Sequence, residues 1–407
     1  MMSTSNKKII YIKKIYEYDS LYLKYNLDNF FIQNLICGSQ KKITNQKMLG
    51  KGTFSNVYMT YNNDSNENCA IKILKSKYQK YSRQEIYYLK RIGFHKNIIP
   101  IQDYFNYNNQ ICIIYPLYSC NLYQFLQKRH ILYEKSMPKI KIGFEIASVR
   151  QVAYDMFHAL QYIKTKYIIH TDVKPENILI EKCDNATIKF ILCDFGSAYD
   201  GNKNLIGYRQ SRFYRAPETI FRKECSYAID MWSMGCILYE LLFNRVLFGG
   251  KNEKEQVYKI IKKRGMFTTN YIDNLPDKRK YFESIMYHIT DTTNKTDTKK
   301  QSLNQSIRYK LLNLSSIDNK SWFISKNNVY EDISRIVTIF NHKLKINNNT
   351  MLNFIKFILD MTEYETYDRL IPSMGLRHKF IVEYDPNTEL NKRLIYDDIW
   401  NILDSNI

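Results

Sequence analysis

HTDVKPENIL, residues 170–179, brings a carboxylate at Asp172, an ammonium at Lys174 and a carboxamide at Asn177 into one short loop. Phosphoryl transfer needs these three groups: an acceptor for the proton of an attacking hydroxyl, a cation for the charge on the moving group, and an oxygen for a divalent metal. On its own the stretch also fits a solvated polar loop. A nucleotide site elsewhere in the chain separates the two readings.

The chain supplies one, in order. In GKGTFSNV, residues 50–57, Gly50 and Gly52 flank Lys51 and let backbone approach phosphates, and Val57 would cover an adenine. The alternating run CAIK, residues 69–72, reads as a strand that lines the site with Ala70 and points Lys72 at the α and β phosphates. A lysine placed there needs an anionic partner, and Glu85 in the helical segment YSRQEIYYLKRI is the natural one. CDFG, residues 193–196, follows the apolar run IKFIL. Asp194 would hold metal, Phe195 would pack inward, and Cys193 would line the pocket floor as a small hydrophobe. RAPE at 215–218 precedes DMWSMGCILYELL at 230–242, an apolar helix whose Asp230 needs a buried hydrogen-bond partner in the loop at 170–179.

On these motifs the chain resembles eukaryotic protein kinases from about residue 43 to 381, and more narrowly the LAMMER-type, or CDC-like, kinases of the CMGC group. HTD in place of the commoner HRD, NLICGSQ at 34–40, KRKYF at 278–282 and EYE at 363–365 before RHKF carry the narrower resemblance. SCNLYQFL at 119–126 and QSRFYRAPE at 210–218 echo the neighbouring dual-specificity tyrosine-regulated kinases. Two departures stand out. In EQVYKIIKKRG, residues 255–265, only Glu255 and Gly265 match the LAMMER signature, and Ser55 replaces the third glycine of the phosphate loop, which should stiffen it.

The resemblance implies a bilobal α+β fold: an N-terminal extension at 1–42, a small lobe of antiparallel sheet and one helix at 43–118, a mainly helical large lobe at 119–381 with an insert at about 283–350, and a C-terminal extension at 382–407. It also implies ATP and Mg2+ as cofactors, with Asp172, Lys174, Lys72 and Glu85 in catalysis and Asn177 and Asp194 on the metal. Arg369 would pair with Glu218. The activity implied is phosphorylation of serine or threonine in proteins, with tyrosine autophosphorylation. A pseudokinase or scaffold is the competing reading, and the complete set of charged motif residues argues against it.

IIYPLYSCN, residues 113–121, reads as the strand entering the hinge. Tyr115 takes the gatekeeper position, and backbone groups of Pro116 and Tyr118 would read the adenine, since proline lacks an N–H but keeps its carbonyl. Asn121 would meet the ribose. Thr171 stands where many kinases carry the arginine that clamps an activation-segment phosphate. Phosphorylated Tyr208 is the alternative, with Arg212 and Arg215 as its partners. Glu176 is a candidate contact for a substrate arginine, and the resemblance implies arginine-serine-rich splicing factors as substrates.

Sixty basic against forty acidic residues give a formal charge of +20, scattered along the chain and not gathered in an arginine-rich tail. Direct nucleic-acid binding is therefore not expected, and a basic enzyme is poorly steered toward a basic substrate. No apolar run reaches eighteen residues, and lysines interrupt MMSTSNKKIIYIKK, so neither a membrane span nor a signal peptide is expected. Eight cysteines without a CxxC pair fit reduced thiols. The resemblance implies protein substrates and residence in nucleus or cytoplasm, and a monomer is expected. HILYEKSMPKIK at 130–141 reads as a lengthened loop between two large-lobe helices, and ITDTTNKTDTKKQSLNQS at 289–306 as a mobile polar tract. YEDISRIVTIF at 330–340 and RLIYDDIWNIL at 393–403 have helical spacing, the latter suited to packing on the large lobe.

Overall fold

Alternation in ENCAIKIL places this segment in the middle of a five-stranded antiparallel sheet in the computed structural model, which describes residues 47–52, 54–62, 67–107, 110–136, 143–183, 187–289, 304–312 and 348–383, with 388, 399 and 403. The strands are β1 (Met48–Lys51), β2 (Ser55–Asn62), β3 (Glu67–Leu74), β4 (Asp103–Tyr107) and β5 (Gln110–Pro116), ordered β1-β2-β3-β5-β4. Ala70 pairs with Tyr115 and Lys72 with Ile113. Directly opposed residues share a sheet face, so Lys72 and Tyr115 project to the same side.

Helix α1 (Gln79–Ile92) lies between β3 and β4 in the chain and buries Ser82, Glu85, Ile86, Leu89 and Ile92, one helical stripe with a carboxylate in it. Lys90 and Arg91 in its last turn complement the helix dipole, and Gly93 at φ 71° ends it.

Beyond β6 (Cys120–Asn121) the chain is mainly helical: α2 (Leu122–Ser136), α3 (Ile146–Thr165), α4 (Pro217–Ile220), α5 (Ala228–Phe243), α6 (Glu253–Arg264), α7 (Thr269–Asp273) and α8 (Asn348–Met361). Short strands β7 (Ile168–Ile169), β8 (Ile178–Lys182), β9 (Ile188–Leu192), β10 (Tyr199–Asp200), β11 (Leu205–Ile206) and β12 (Glu224–Cys225) carry the site loops. Every α5 residue except Glu240 is buried, the mark of a helix apolar on all sides. Its contact with α8 depends on Gly235, where a Cβ would come within 2.9 Å of the Thr362 side chain and 3.1 Å of Met361. Substitution by a larger residue would force these helices apart.

Two expectations change here. Residues 130–136 continue α2 and do not begin a loop. The region after Phe282 opens with a β-hairpin, β13 (Phe282–Ile289) against β14 (Asn304–Leu311), so both ends of the tract at 289–306 are strand. Cross-strand pairing overrides local polarity at those positions. Residues 34–40 and 330–340 lie outside the described residues. Of the 393–403 segment, Ile399 is buried and Leu403 packs against the core.

Candidate active site

The loop at 170–179 hangs from α5. Asp230 accepts the backbone N–H of His170 at 2.8 Å and of Thr171 at 2.9 Å. Burial pushes the Asp230 carboxyl up to about 6, opposed by the nearby His170 and those two amides. Thr171 needs this support because it is β-branched and sits at φ 68°. Its hydroxyl donates to Ser197 O at 2.7 Å, tying the loop to the segment after Asp194.

Asp172 is fixed through both oxygens. Oδ1 accepts the Ser211 amide at 3.0 Å and hydroxyl at 2.8 Å, while Oδ2 accepts Lys174 Nζ at 2.7 Å. Lys174 also donates to Ser211 Oγ at 3.2 Å, and Asn177 Nδ2 donates to the Asp172 carbonyl at 2.9 Å. Enclosure works against the Lys174 charge, but Asp172 outweighs it and holds the ammonium pKa above that of a free lysine. Ser211 went unrecognised in the sequence. Its signal was a hydroxyl within the quoted QSRFYRAPE, yet only the fold reveals which loop it meets.

Across the cleft Lys72 Nζ donates to Glu85 at 2.7 and 3.0 Å and to Asp194 Oδ1 at 2.9 Å. Burial opposes the Lys72 charge, and the Asp194 and Glu85 carboxylates overcome it, so its pKa stands above the ordinary value. Enclosure raises Asp194, but Lys72 dominates the outcome and brings it to about 2. For Glu85 burial prevails and raises the pKa despite Lys72. Asp194 takes a left-handed φ of 66°, and Phe195 is fully buried, edge-on to His170 with centroids 4.8 Å apart. The Cys193 thiol is pushed up by burial and its carbonyl meets His170 Nε2 at 2.9 Å. Cys193 is only partly buried and packs against the core.

The glycine loop is the β1–β2 hairpin. Gly52 N–H donates to Ser55 O at 2.8 Å and its carbonyl accepts Lys75 Nζ at 3.0 Å, while a Cβ on Gly50 would meet only open space. Lys51 is exposed; Val57 lies opposite Lys72, and Ala70 is buried beside Tyr115. Pro116 pairs with Cys69 at the end of β5, and Tyr118 packs against the core just past it.

Asn121, expected at the ribose, also caps a helix. Its Oδ1 accepts the Gln124 N–H at 2.8 Å while Gln124 Oε1 accepts the Asn121 N–H at 3.0 Å, a reciprocal capping box at the start of α2. The cap engages the carboxamide oxygen and leaves its nitrogen as the group that would meet a ribose. The spacing N-x-x-Q before an apolar run carried that signal.

The activation segment is pinned by Gln210, buried at φ 64°. Its Nε2 donates to Ile229 O at 2.9 Å and Ser233 Oγ at 2.8 Å, and its Oε1 accepts Ala216 N–H at 3.0 Å and Thr219 O–H at 2.9 Å. Arg215 lies 3.6 Å from the Tyr208 ring centroid, with its guanidinium bonded to the Arg209 and Gln210 carbonyls. Arg212 instead donates to Lys251 O at 2.6 Å. The structure thus brings Arg215 to Tyr208 but turns Arg212 elsewhere. Glu176 is exposed near Glu240, which accepts the Tyr214 hydroxyl at 2.7 Å and which burial pushes up to about 7, with Glu176 adding to the rise. The Arg369–Glu218 pair is present, at 2.6 and 3.0 Å.

Comparison with known proteins agrees with this geometry. The protein kinase domain family matches residues 43–381. A Drosophila melanogaster protein named as a homolog of dual specificity tyrosine-phosphorylation-regulated kinase 3 is 37% identical over 59% of this chain and 28% of its own length. Dual specificity tyrosine-phosphorylation-regulated kinase mbk-2 of Caenorhabditis briggsae is 29% identical over 84% of this chain and 39% of its own length. Human dual specificity tyrosine-phosphorylation-regulated kinase 4 is 32% identical over 61% and 46%. The chain spans less than half the length of these curated relatives. Their names belong to the tyrosine-regulated branch and not to the LAMMER branch that the shorter motifs suggested. With the match running from before the glycine loop to past Arg369, the whole cleft falls inside it, and the chain belongs to the protein kinase family.

Proposed function

We propose that the chain is a dual-specificity protein kinase of the tyrosine-regulated branch, transferring a phosphoryl group from ATP to serine or threonine of proteins and to its own Tyr208, in nucleus or cytoplasm. The Glu85–Lys72–Asp194 chain of contacts at 2.7 and 2.9 Å carries the reading. A scaffold that bound partners without turnover would have no use for that alignment. Bound Mg2+-ATP would supply the phosphoryl group and the cation that offsets its charge.

The residues fit that cofactor. Asp194 is 41% exposed and ionised, Asn177 donates its nitrogen to backbone, and Lys72 projects from β3. Among the described residues no group of three or more His, Cys, Asp or Glu could hold a metal. That suits Mg2+, which takes few protein ligands and completes its shell with phosphates and water. Asp172, held by Ser211 and Lys174, is placed to orient an acceptor hydroxyl and take its proton.

Glu176 and Glu240 together favour acceptors flanked by arginine, a class that includes arginine-serine-rich splicing factors. Arg215 is the first partner we assign to phosphorylated Tyr208, and Arg212 would have to leave Lys251 to join it.

Enzyme made in bacteria tests the reading against Asp172→Asn. Wild type should phosphorylate arginine-flanked serine peptides and carry phosphate on Tyr208, with the variant about 10²–10⁴-fold slower and unmodified. Equal incorporation by both proteins would overturn the kinase reading. A preference for acidic flanks would overturn the substrate class alone.

A further inference from the structure

Glu85 is held from β5 as well as from β3. Lys72 reaches both its oxygens, and Tyr115 donates its phenolic O–H to Oε1 at 2.8 Å. Strand register creates this contact. Tyr115 pairs with Ala70, two residues before Lys72, so ring and lysine share a face and a methyl group alone stands opposite the ring. Both ends of the bond are out of water, Tyr115 at 4% and Glu85 at 1% exposed. A buried carboxylate is costly unless donors saturate it, and a phenylalanine here would offer the ring without the donor.

We infer that Tyr115 is a positioning residue whose hydroxyl locks the Glu85 carboxylate, and α1 with it, in the orientation that pairs with Lys72. The lock sits inside the fold, behind the lysine. It therefore aligns the pair without any phosphate or partner chain pressing on α1. This rests on the reading of the cleft as a working phosphotransferase.

The groups facing Glu85 are Lys72 from β3, Tyr115 from β5, and Asp194 with the Cys193 thiol from the segment after β9. Burial raises the Glu85 proton affinity most, Lys72 and the phenol lower it, and Asp194 raises it.

The full chain carrying Tyr115→Phe, compared with wild type, decides the matter. The variant should lose about tenfold in kcat with a smaller change in KM for ATP and show faster amide exchange along α1, with its urea midpoint lowered by the lost donor but the chain still folded. In a Glu85→Ala background, where no carboxylate remains to hold, the same change should cost less than about twofold. Wild-type kcat, or an equal loss in both backgrounds, would overturn the inference. If wild type itself transfers no phosphate, the kinase reading fails separately and amide exchange along α1 becomes the test. Faster exchange in Tyr115→Phe would then support the lock, and unchanged exchange would overturn it.

Discussion

Arg369 and Glu218 meet fully out of water, at 0% and 1% side-chain exposure, with two parallel bonds and further donations to the carbonyls of Glu363 and Ala228. Trp232 covers the guanidinium at 5.1 Å. Glu85 is also buried, but Lys72 is 13% exposed and divides itself between Glu85 and an Asp194 that is 41% exposed to the cleft. The first pair is closed on every side and the second is open on one. Closure suits a fixed joint between the end of the activation segment and the chain after α8. An open side suits an ammonium that must exchange part of its contacts for phosphate oxygens.

Removing one cation from each pair should separate these roles. Arg369→Met should cost about 3–5 kcal/mol of stability, because Glu218 would be left charged and enclosed. Lys72→Met should cost less than half of that in urea unfolding, since Glu85 can take up a proton and Asp194 faces the cleft. Its turnover should nevertheless fall about 10²–10³-fold. Equal stability losses would erase the distinction between closed and open.

Glu240 extends the comparison to a carboxylate whose nearest partner is a hydroxyl. Its folded pKa of about 7 lies above the unfolded value of 4.5, so its contribution to stability is complete below the unfolded pKa and fades as pH rises through 7. Wild type should therefore lose stability relative to Glu240→Gln between about pH 4.5 and pH 7, read as the difference in urea midpoints. A flat difference would mean that Tyr214 keeps the carboxylate ionised at no cost. The smallest effect belongs to Asn121→Ala, which should remove about 1 kcal/mol from the start of α2 while leaving KM for ATP unchanged. A rise in KM would mean that Asn121 meets the ribose as well as capping the helix.

Much of the site was legible in the chain because each of its motifs is local. A glycine loop, a lysine on an alternating strand, and the short stretches HTDVKPEN and CDFG keep their chemistry within a few residues. The hairpin at 282–311 was not legible, because what defines it is the pairing of two strands separated in the chain and not a pattern within either. Ser211 was likewise hidden: its value lies in meeting Asp172, thirty-nine residues away.

The sequence by itself determined the family, since the charged motif residues of a protein kinase occur in order with the right spacing. It also places Thr171 where the resemblance to protein kinases leads one to expect an arginine. Tertiary structure alone decided how that absence is met. Gln210 satisfies its carboxamide in a buried turn, Arg215 rather than Arg212 faces Tyr208, and Tyr115 reaches Glu85 across two strands. Hydrogen bonds depend on distances between segments far apart in the chain, and no local pattern encodes those distances.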